Sequence, residues 1–288
     1  MGVVWRGMSY TLNDDATFTL ANGTRFPAIG YGTFQLRGRD ETAEAVRSAI
    51  AAGYRLIDTA ADYGNEEGVG EGVRTSDVPR SEVLVSSKVW PSELGYDRTM
   101  RAFEASLGRL GLEYLDVYLI HWPCSDELNA GSWQAFEELH EQGLVKTVGV
   151  SNFTTKQLEP LLASATVPPL LDQLEFHPRF FDTELQEYCA ARGILVEAWS
   201  PLMQGAAFSN ETLGRIGAKH GRTAAQVALR WSVQMGAVPL PKTRTPHRMV
   251  ENISIFDFEL DDADMAGISA LFTGERLGPD PDTYHFCK

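Results

Sequence analysis

The chain has 288 residues, 43% of them apolar and 10% aromatic, and a formal net charge of −14. A chain of this length can bury about 75% of its unfolded surface, so a large core is affordable, and its acidity argues against nucleic acid or an anionic membrane as partner. Three widely spaced cysteines, Cys124, Cys189 and Cys287, imply neither a disulfide framework nor a zinc site, and the reading is a reducing, cytoplasmic setting.

No apolar run reaches the ~18 residues of a transmembrane helix. The segment MGVVWRGMSY is broken by Arg6 where a signal peptide needs its apolar stretch. Residues 1–17 are expected to form a flexible extension, with Met8 an alternative start, and residues 18–288 a single domain. Phe18-Thr19-Leu20 and Arg25-Phe26-Pro27 flank Asn22-Gly23, a strong hairpin signal because both turn residues tolerate positive φ. Strand-like runs follow near 29–33, 55–58, 83–87, 115–121, 145–150, 170–176, 194–199 and 237–240. Their spacing of about 25–45 residues leaves room for a helix after each strand. Asp40 is expected to cap a helix over 41–52, and Thr154 with Gln157 and Thr223 with Gln226 have capping-box spacing. Regular alternation predicts a parallel sheet. Eight repeats predict a closed (β/α)8 TIM barrel with an N-terminal hairpin and extra helices. Gly68, Gly70 and Gly72 have the wrong spacing for a dinucleotide-binding turn and read instead as a close-packed helix face.

In such a barrel the working groups stand where strands end. The second run ends in Asp58, with Tyr63 on the loop beyond; the third carries Lys88 and Trp90, and the fourth ends in His121 and Trp122. Ser151 and Asn152 end the fifth, Gln173, Glu175 and His177 lie on the sixth, Trp199 and Ser200 end the seventh, and Lys242 and Thr243 the eighth. Each has an ordinary structural reading, such as a turn aspartate or a core histidine; their coincidence on one rim points to chemistry. A tyrosine titrates near ~10, and a neighbouring ammonium lowers that by about 1–3 units. Lys88 is expected to supply the ammonium, Asp58 to hold Lys88, and His121 to orient a substrate oxygen. Such a set suits protonation of an alkoxide forming from a carbonyl.

Reduction also requires a hydride source. The six histidines are scattered and neither H-E-x-x-H nor C-x-x-C occurs, so no metal is expected and an organic cofactor is. Ser151, Asn152 and Gln173 suit a carboxamide, and Trp199 offers a face for a flat ring. From Pro241 to Arg248 the sequence PKTRTPHR is a basic island at a helix start, where free N–H groups favour anions.

The ordered segments IDTAADYGNEEGVG, SSKVW, LIHWP, VGVSNF, QLEFHP, AWSPL, LPKT and TGERLGPDPDTYHF resemble the aldo-keto reductase superfamily over nearly the whole chain. They are most similar to its microbial branch of 2,5-diketo-D-gluconate reductases, methylglyoxal reductases and prostaglandin F synthase-like enzymes. The resemblance implies a monomeric barrel that uses NADPH to reduce aldehydes and ketones, α-dicarbonyls and keto-sugars included, to alcohols. It implies Tyr63 as proton donor, Asp58 and Lys88 as the groups that tune it, and His121 as carbonyl-orienting residue. It also implies the carboxamide on Ser151, Asn152 and Gln173, the nicotinamide ring on Trp199, and the pyrophosphate at Ser200 and Leu202. Lys242, Thr243 and Arg248 would hold the 2′-phosphate, Glu251 and Asn252 would lie near the adenine, and Phe34, Trp90 and Trp122 would line the substrate pocket. Three positions depart from the commoner pattern: Trp199 replaces tyrosine, Arg244 an apolar residue, with an added phosphate contact expected, and Asp172 asparagine. The superfamily also contains channel β subunits and lens crystallins, which makes a cofactor-binding regulatory subunit the alternative; the complete acid–base set favours an enzyme.

Overall fold

The computed structural model describes residues 10–283, 286 and 287. Residues 1–9 of the expected extension lie outside them; Tyr10 and Leu12 pack half-buried against the core. Strands β1 (Thr17–Thr19) and β2 (Arg25–Pro27) form the hairpin, with Phe18 opposite Phe26 and both buried. Of the two turn residues only Gly23 takes positive φ, at 86°.

Eight parallel strands follow: β3 (Tyr31–Gly32), β4 (Leu56–Asp58), β5 (Leu84–Val89), β6 (Leu115–Ile120), β7 (Val145–Ser151), β8 (Leu171–Glu175), β9 (Leu195–Trp199) and β10 (Ala237–Pro239). They pair in sequence order. Gly30 N donates to Pro239 O at 3.0 Å and Gly32 N to Pro241 O at 3.1 Å, joining the first strand to the last. The sheet thus closes into the (β/α)8 barrel, and each expected run coincides with a strand. Apolar strand residues such as Leu56, Ile57 and Leu115 to Ile120 are buried because helices cover the outer face of the sheet.

The covering helices are α1 (Arg39–Ala51), α2 (Glu66–Arg74), α3 (Tyr96–Leu110), α4 (Asp126–Glu141), α5 (Thr155–Ser164), α6 (Thr183–Ala190), α7 (Glu211–His220), α8 (Ala224–Gln234), α9 (Pro246–Ile253) and α10 (Asp262–Ser269). Both expected capping boxes form, at Thr154 and Thr223. The expected Asp40 cap does not. The first helix starts earlier with Gly38 at its N-cap, and Asp40 lies in the first turn, where its charge complements the helix dipole. The α2 glycines do make a close-packed face: a Cβ on Gly70 would lie 1.8 Å from the Leu110 carbonyl oxygen.

The cysteines require a correction. Cys124 and Cys287 form a disulfide across 163 residues of sequence, while Cys189 is buried and free. The bond fastens the end of a C-terminal tail that is already held elsewhere. Thr273 N donates to Arg179 O, the Glu175 carboxylate accepts from the backbone of Leu277 and Gly278, and Asp282 accepts from Thr154 and Gln157. His177 bonds the same Glu175, so both residues serve the tail rather than the reacting rim. No helix among the described residues is long and apolar enough to cross a membrane.

Candidate active site

The strand register of β4 and β5 brings Asp58 and Lys88 together inside the barrel mouth. Lys88 is fully buried, and its Nζ donates to Asp58 Oδ1 at 2.6 Å and to Thr59 O at 2.8 Å. Burial pulls the ammonium down, but the charges of Asp58 and Tyr63 outweigh it, and the net shift is upward. The ammonium lies 5.1 Å from the centroid of the Tyr63 ring. Tyr63 ends a 3-10 turn, Ala61–Tyr63, that terminates at Gly64 with φ 65°. Asn65 anchors the loop by donating to Thr33 O at 2.9 Å and accepting from Thr59 Oγ1 at 2.7 Å.

The expected lowering of the tyrosine does not survive as a net effect. Tyr63 is half-buried, and desolvation by the surrounding protein pushes its phenol up to about 12. Lys88 opposes the rise without reversing it. At neutral pH the phenol therefore holds its proton, as a donor must. His121 stands edge-on to Tyr63 and to Trp90, with ring centroids 5.6 and 5.0 Å away. Burial and then Lys88 hold the imidazole well below its ordinary range, so it is neutral. Its Nδ1 is buried with no hydrogen-bond partner among the described residues.

Asp58, Tyr63 and His121 open on a cavity of about 700 Å³, with Lys88 buried behind them; it is also lined by Phe34, Trp90, Trp122, Ser151, Asn152, Gln173, Trp199, Ser200, Leu202, Lys242, Thr243, Arg248 and Asn252. The structure thus brings most of the expected site residues to one space. Asn152 and Ser200 hold left-handed φ of 61° and 55°, a backbone strain that non-glycine residues keep where the surroundings impose it. Asn152 is tightly committed. Its Nδ2 donates to His121 O and Ser151 Oγ, its Oδ1 accepts from the Trp199 indole at 2.9 Å, and Ser151 Oγ donates to Gln173 O.

At the other end of the cavity, Lys242 and Arg248 make no ion pair among the described residues, despite the chain's excess of acid. Desolvation and the Arg244 charge pull Lys242 below its ordinary value, so an anion here would relieve repulsion. Arg248 lies in the first turn of α9, where backbone N–H groups also favour anions. Two of the expected residues have protein partners at this end. Glu251 is absent from the cavity wall and accepts a hydrogen bond from Thr223 at 2.9 Å. Arg244 pairs with Glu41 at 3.0 Å, both side chains being about half exposed, and donates to Gln35 O at 2.9 Å.

Two further residues escaped sequence reasoning. Phe286, on the disulfide-held tail, packs against Trp90 and Trp122 with centroids 5.0 and 4.9 Å away and completes the aromatic wall. The fully buried Glu197, on β9, reaches Gln173. An acid two residues before Trp199 on a strand is the one available signal, since period-two alternation puts both side chains on the inner face.

Residues 28–272 match the model of the aldo/keto reductase family. The glyoxal reductase of Bacillus subtilis (strain 168) is 50% identical over 270 residues, covering 94% of this chain and 98% of that protein. MGS-M4, an aldo-keto reductase from a Medee basin deep-sea metagenome library, superposes with a TM-score of 0.90 at 40% identity over 93% of this chain and 99% of its own. A mutant of Gox0644, solved in complex with NADPH, gives 0.87 at 40% identity, covering 94% and 98%.

Proposed function

Since the chain belongs to the aldo/keto reductase family, we propose that it is an NADPH-dependent reductase that converts small aldehydes and ketones to alcohols. The observation that carries this reading is the enclosed phenol of Tyr63, protonated at neutral pH beside the buried Lys88–Asp58 pair and the neutral His121. Tyr63 gives its proton to the carbonyl oxygen as negative charge builds there. The buried Lys88 ammonium then stabilises the phenolate left behind, and Asp58 fixes that ammonium. His121, neutral and poor in other partners, orients the oxygen without competing as an acid.

A bound nicotinamide cofactor would supply the hydride, and the residues present fit one. Trp199 presents a flat face, the Gln173 amide borders the same cavity, and the uncompensated charges of Lys242 and Arg248 suit a 2′-phosphate. Thr243 completes the phosphate end, Ser200 and Leu202 line the middle, and Asn252 stands at the adenine end. Phe34, Trp90 and Trp122 give an aromatic pocket that suits small dicarbonyls such as the glyoxal in the Bacillus relative's name. Keto-sugars are a second substrate class for the same pocket. The proposal includes a monomeric, cytoplasmic protein with no nucleic-acid or membrane partner. A reducing cytoplasm would then open the Cys124–Cys287 bond.

The test is a panel of glyoxal, methylglyoxal, simple aldehydes and keto-sugars assayed by loss of NADPH absorbance. Turnover of small dicarbonyls with NADPH preferred over NADH is expected. Cofactor binding without turnover of any carbonyl would favour the regulatory-subunit alternative.

A further inference from the structure

Glu197 has no part in the chemistry described above, yet it is fully buried at the barrel mouth. Its Oε2 accepts from Gln173 Nε2 at 3.1 Å, and the same Nε2 donates to Asp58 Oδ1 at 3.0 Å. A primary amide nitrogen carries two hydrogens, and both are used by carboxyl groups on the floor of the site. Turning the amide over would set its oxygen against Asp58, which as a carboxylate accepts hydrogen bonds and cannot donate them. The orientation of Gln173 is therefore fixed by two separate acceptors, with its oxygen as the end left for the cavity that the residue lines.

We propose that Glu197 is a positioning residue: with Asp58 it locks the Gln173 amide so that its oxygen reads the amino group of the cofactor's carboxamide. This rests on the nicotinamide reading above. The neighbouring amide cannot take over the task. Asn152 has its oxygen on the Trp199 indole and its nitrogen on His121 O and Ser151 Oγ. Asp58 alone would bar the reversed amide but leave one Gln173 hydrogen without an acceptor, and the amide plane could swing about that single bond. Burial, with the Asp58 charge added, pushes the Glu197 carboxyl up to about 8, so near neutral pH it is mostly uncharged and accepts through its carbonyl oxygen. Asp58 is thus left to Lys88 as the ionised member, and the Glu197→Gln variant imitates the neutral carboxyl.

The probe is the acetylpyridine analogue of NADP+, which carries a methyl group in place of the carboxamide amino group. Binding of NADP+, the analogue and NAD+ is titrated by quenching of tryptophan fluorescence. The wild-type protein is expected to bind NADP+ about 10-fold tighter than the analogue, because the analogue leaves the locked amide oxygen unpaired. Glu197→Gln keeps that ratio within about 2-fold, since its side-chain oxygen still accepts. Glu197→Met removes one of the two anchors and lets the amide plane swing about its bond to Asp58, and the ratio falls below about 3-fold, while the preference for NADP+ over NAD+, set at Lys242 and Arg248, is unchanged.

A folded Glu197→Met protein with the wild-type ratio would overturn the proposal, and so would loss of the ratio in Glu197→Gln. Should Glu197→Met fail to melt cooperatively, the decision passes to the wild-type and Glu197→Gln ratios. A wild-type ratio near one contradicts a locked amide outright. Absence of NADP+ binding by the wild type would instead contradict the cofactor reading itself, which separates the two failures.

Discussion

Asp58 and Asp172 are both buried aspartates on strands of one sheet, on opposite sides of it. Asp58 lies inside the mouth, where Lys88, 2.6 Å away, and Gln173 satisfy it. Asp172 immediately precedes the inward-facing Gln173, so strand alternation turns it toward the helical shell. Neither of its oxygens completes a hydrogen bond among the described residues. Burial drives it well above the ordinary carboxylate range, with the Phe153 backbone opposing and Glu197 reinforcing the rise. Inside, the fold spends charge pairs on a reactive arrangement. In the shell it carries a buried carboxyl that has no hydrogen-bond partner among the described residues, a plain cost.

The sharpest way to break the contrast is to make Asp58 resemble Asp172. Lys88→Met leaves Asp58 buried without its cation. It is expected to lower kcat/KM about 10³-fold and to remove about 3–5 kcal/mol of stability, read by steady-state kinetics and denaturant melts. A variant with unchanged turnover would show that the pair is structural only. The cations at the far end of the cavity extend the comparison, because Lys88 has its anion in the chain and Lys242 and Arg248 have none among the described residues. Lys242→Ala or Arg248→Ala should each weaken NADPH binding about 10-fold and leave NADH nearly unaffected, read by fluorescence titration.

Asp172→Asn tests the other side. A carboxyl whose folded value lies above its unfolded value of about 3.9 stabilises the fold most at low pH and loses that contribution as pH rises toward the folded value. The variant should therefore be more stable than wild type by about 1–2 kcal/mol at pH 8, with the gap shrinking toward pH 4. A constant gap across that range would show that Asp172 is ionised in the fold. The smallest effect concerns the tail. Opening the Cys124–Cys287 bond with dithiothreitol should lower Tm by about 2 °C and raise KM for small dicarbonyls a few-fold, because Phe286 is then less firmly held on Trp90 and Trp122. Identical KM values in both redox states would show that the other tail contacts suffice.

The barrel was legible because its signals are local. Eight apolar runs, an Asn-Gly turn and two capping boxes each lie within a few residues, and strand order followed from regular alternation. Asp58, Lys88, His121 and Asn152 were legible for the same reason, as polar breaks at the ends of apolar runs. What stayed hidden depends on distance in sequence or on enclosure. The Cys124–Cys287 pairing spans 163 residues and has no local mark. The upward shift of Tyr63 is set by how much protein surrounds it, which the presence of Lys88 in the sequence does not reveal. Glu251 and Arg244 also contact Thr223 and Glu41, residues too far away in sequence for those partners to be read locally. Glu197 was overlooked because a lone acid within a strand reads as a solvent-facing residue until the barrel closes around it.

The most direct measurement is on Tyr63→Phe, with turnover of methylglyoxal and binding of NADPH followed on the same preparation. Desolvation keeps the Tyr63 phenol protonated and the Lys88 ammonium lies 5.1 Å from the ring centroid, so removal of the phenol oxygen is expected to cost at least about 10³-fold in kcat while NADPH affinity stays within about 3-fold. Retention of kcat within about 10-fold would contradict the account, because the proton would then come from another source.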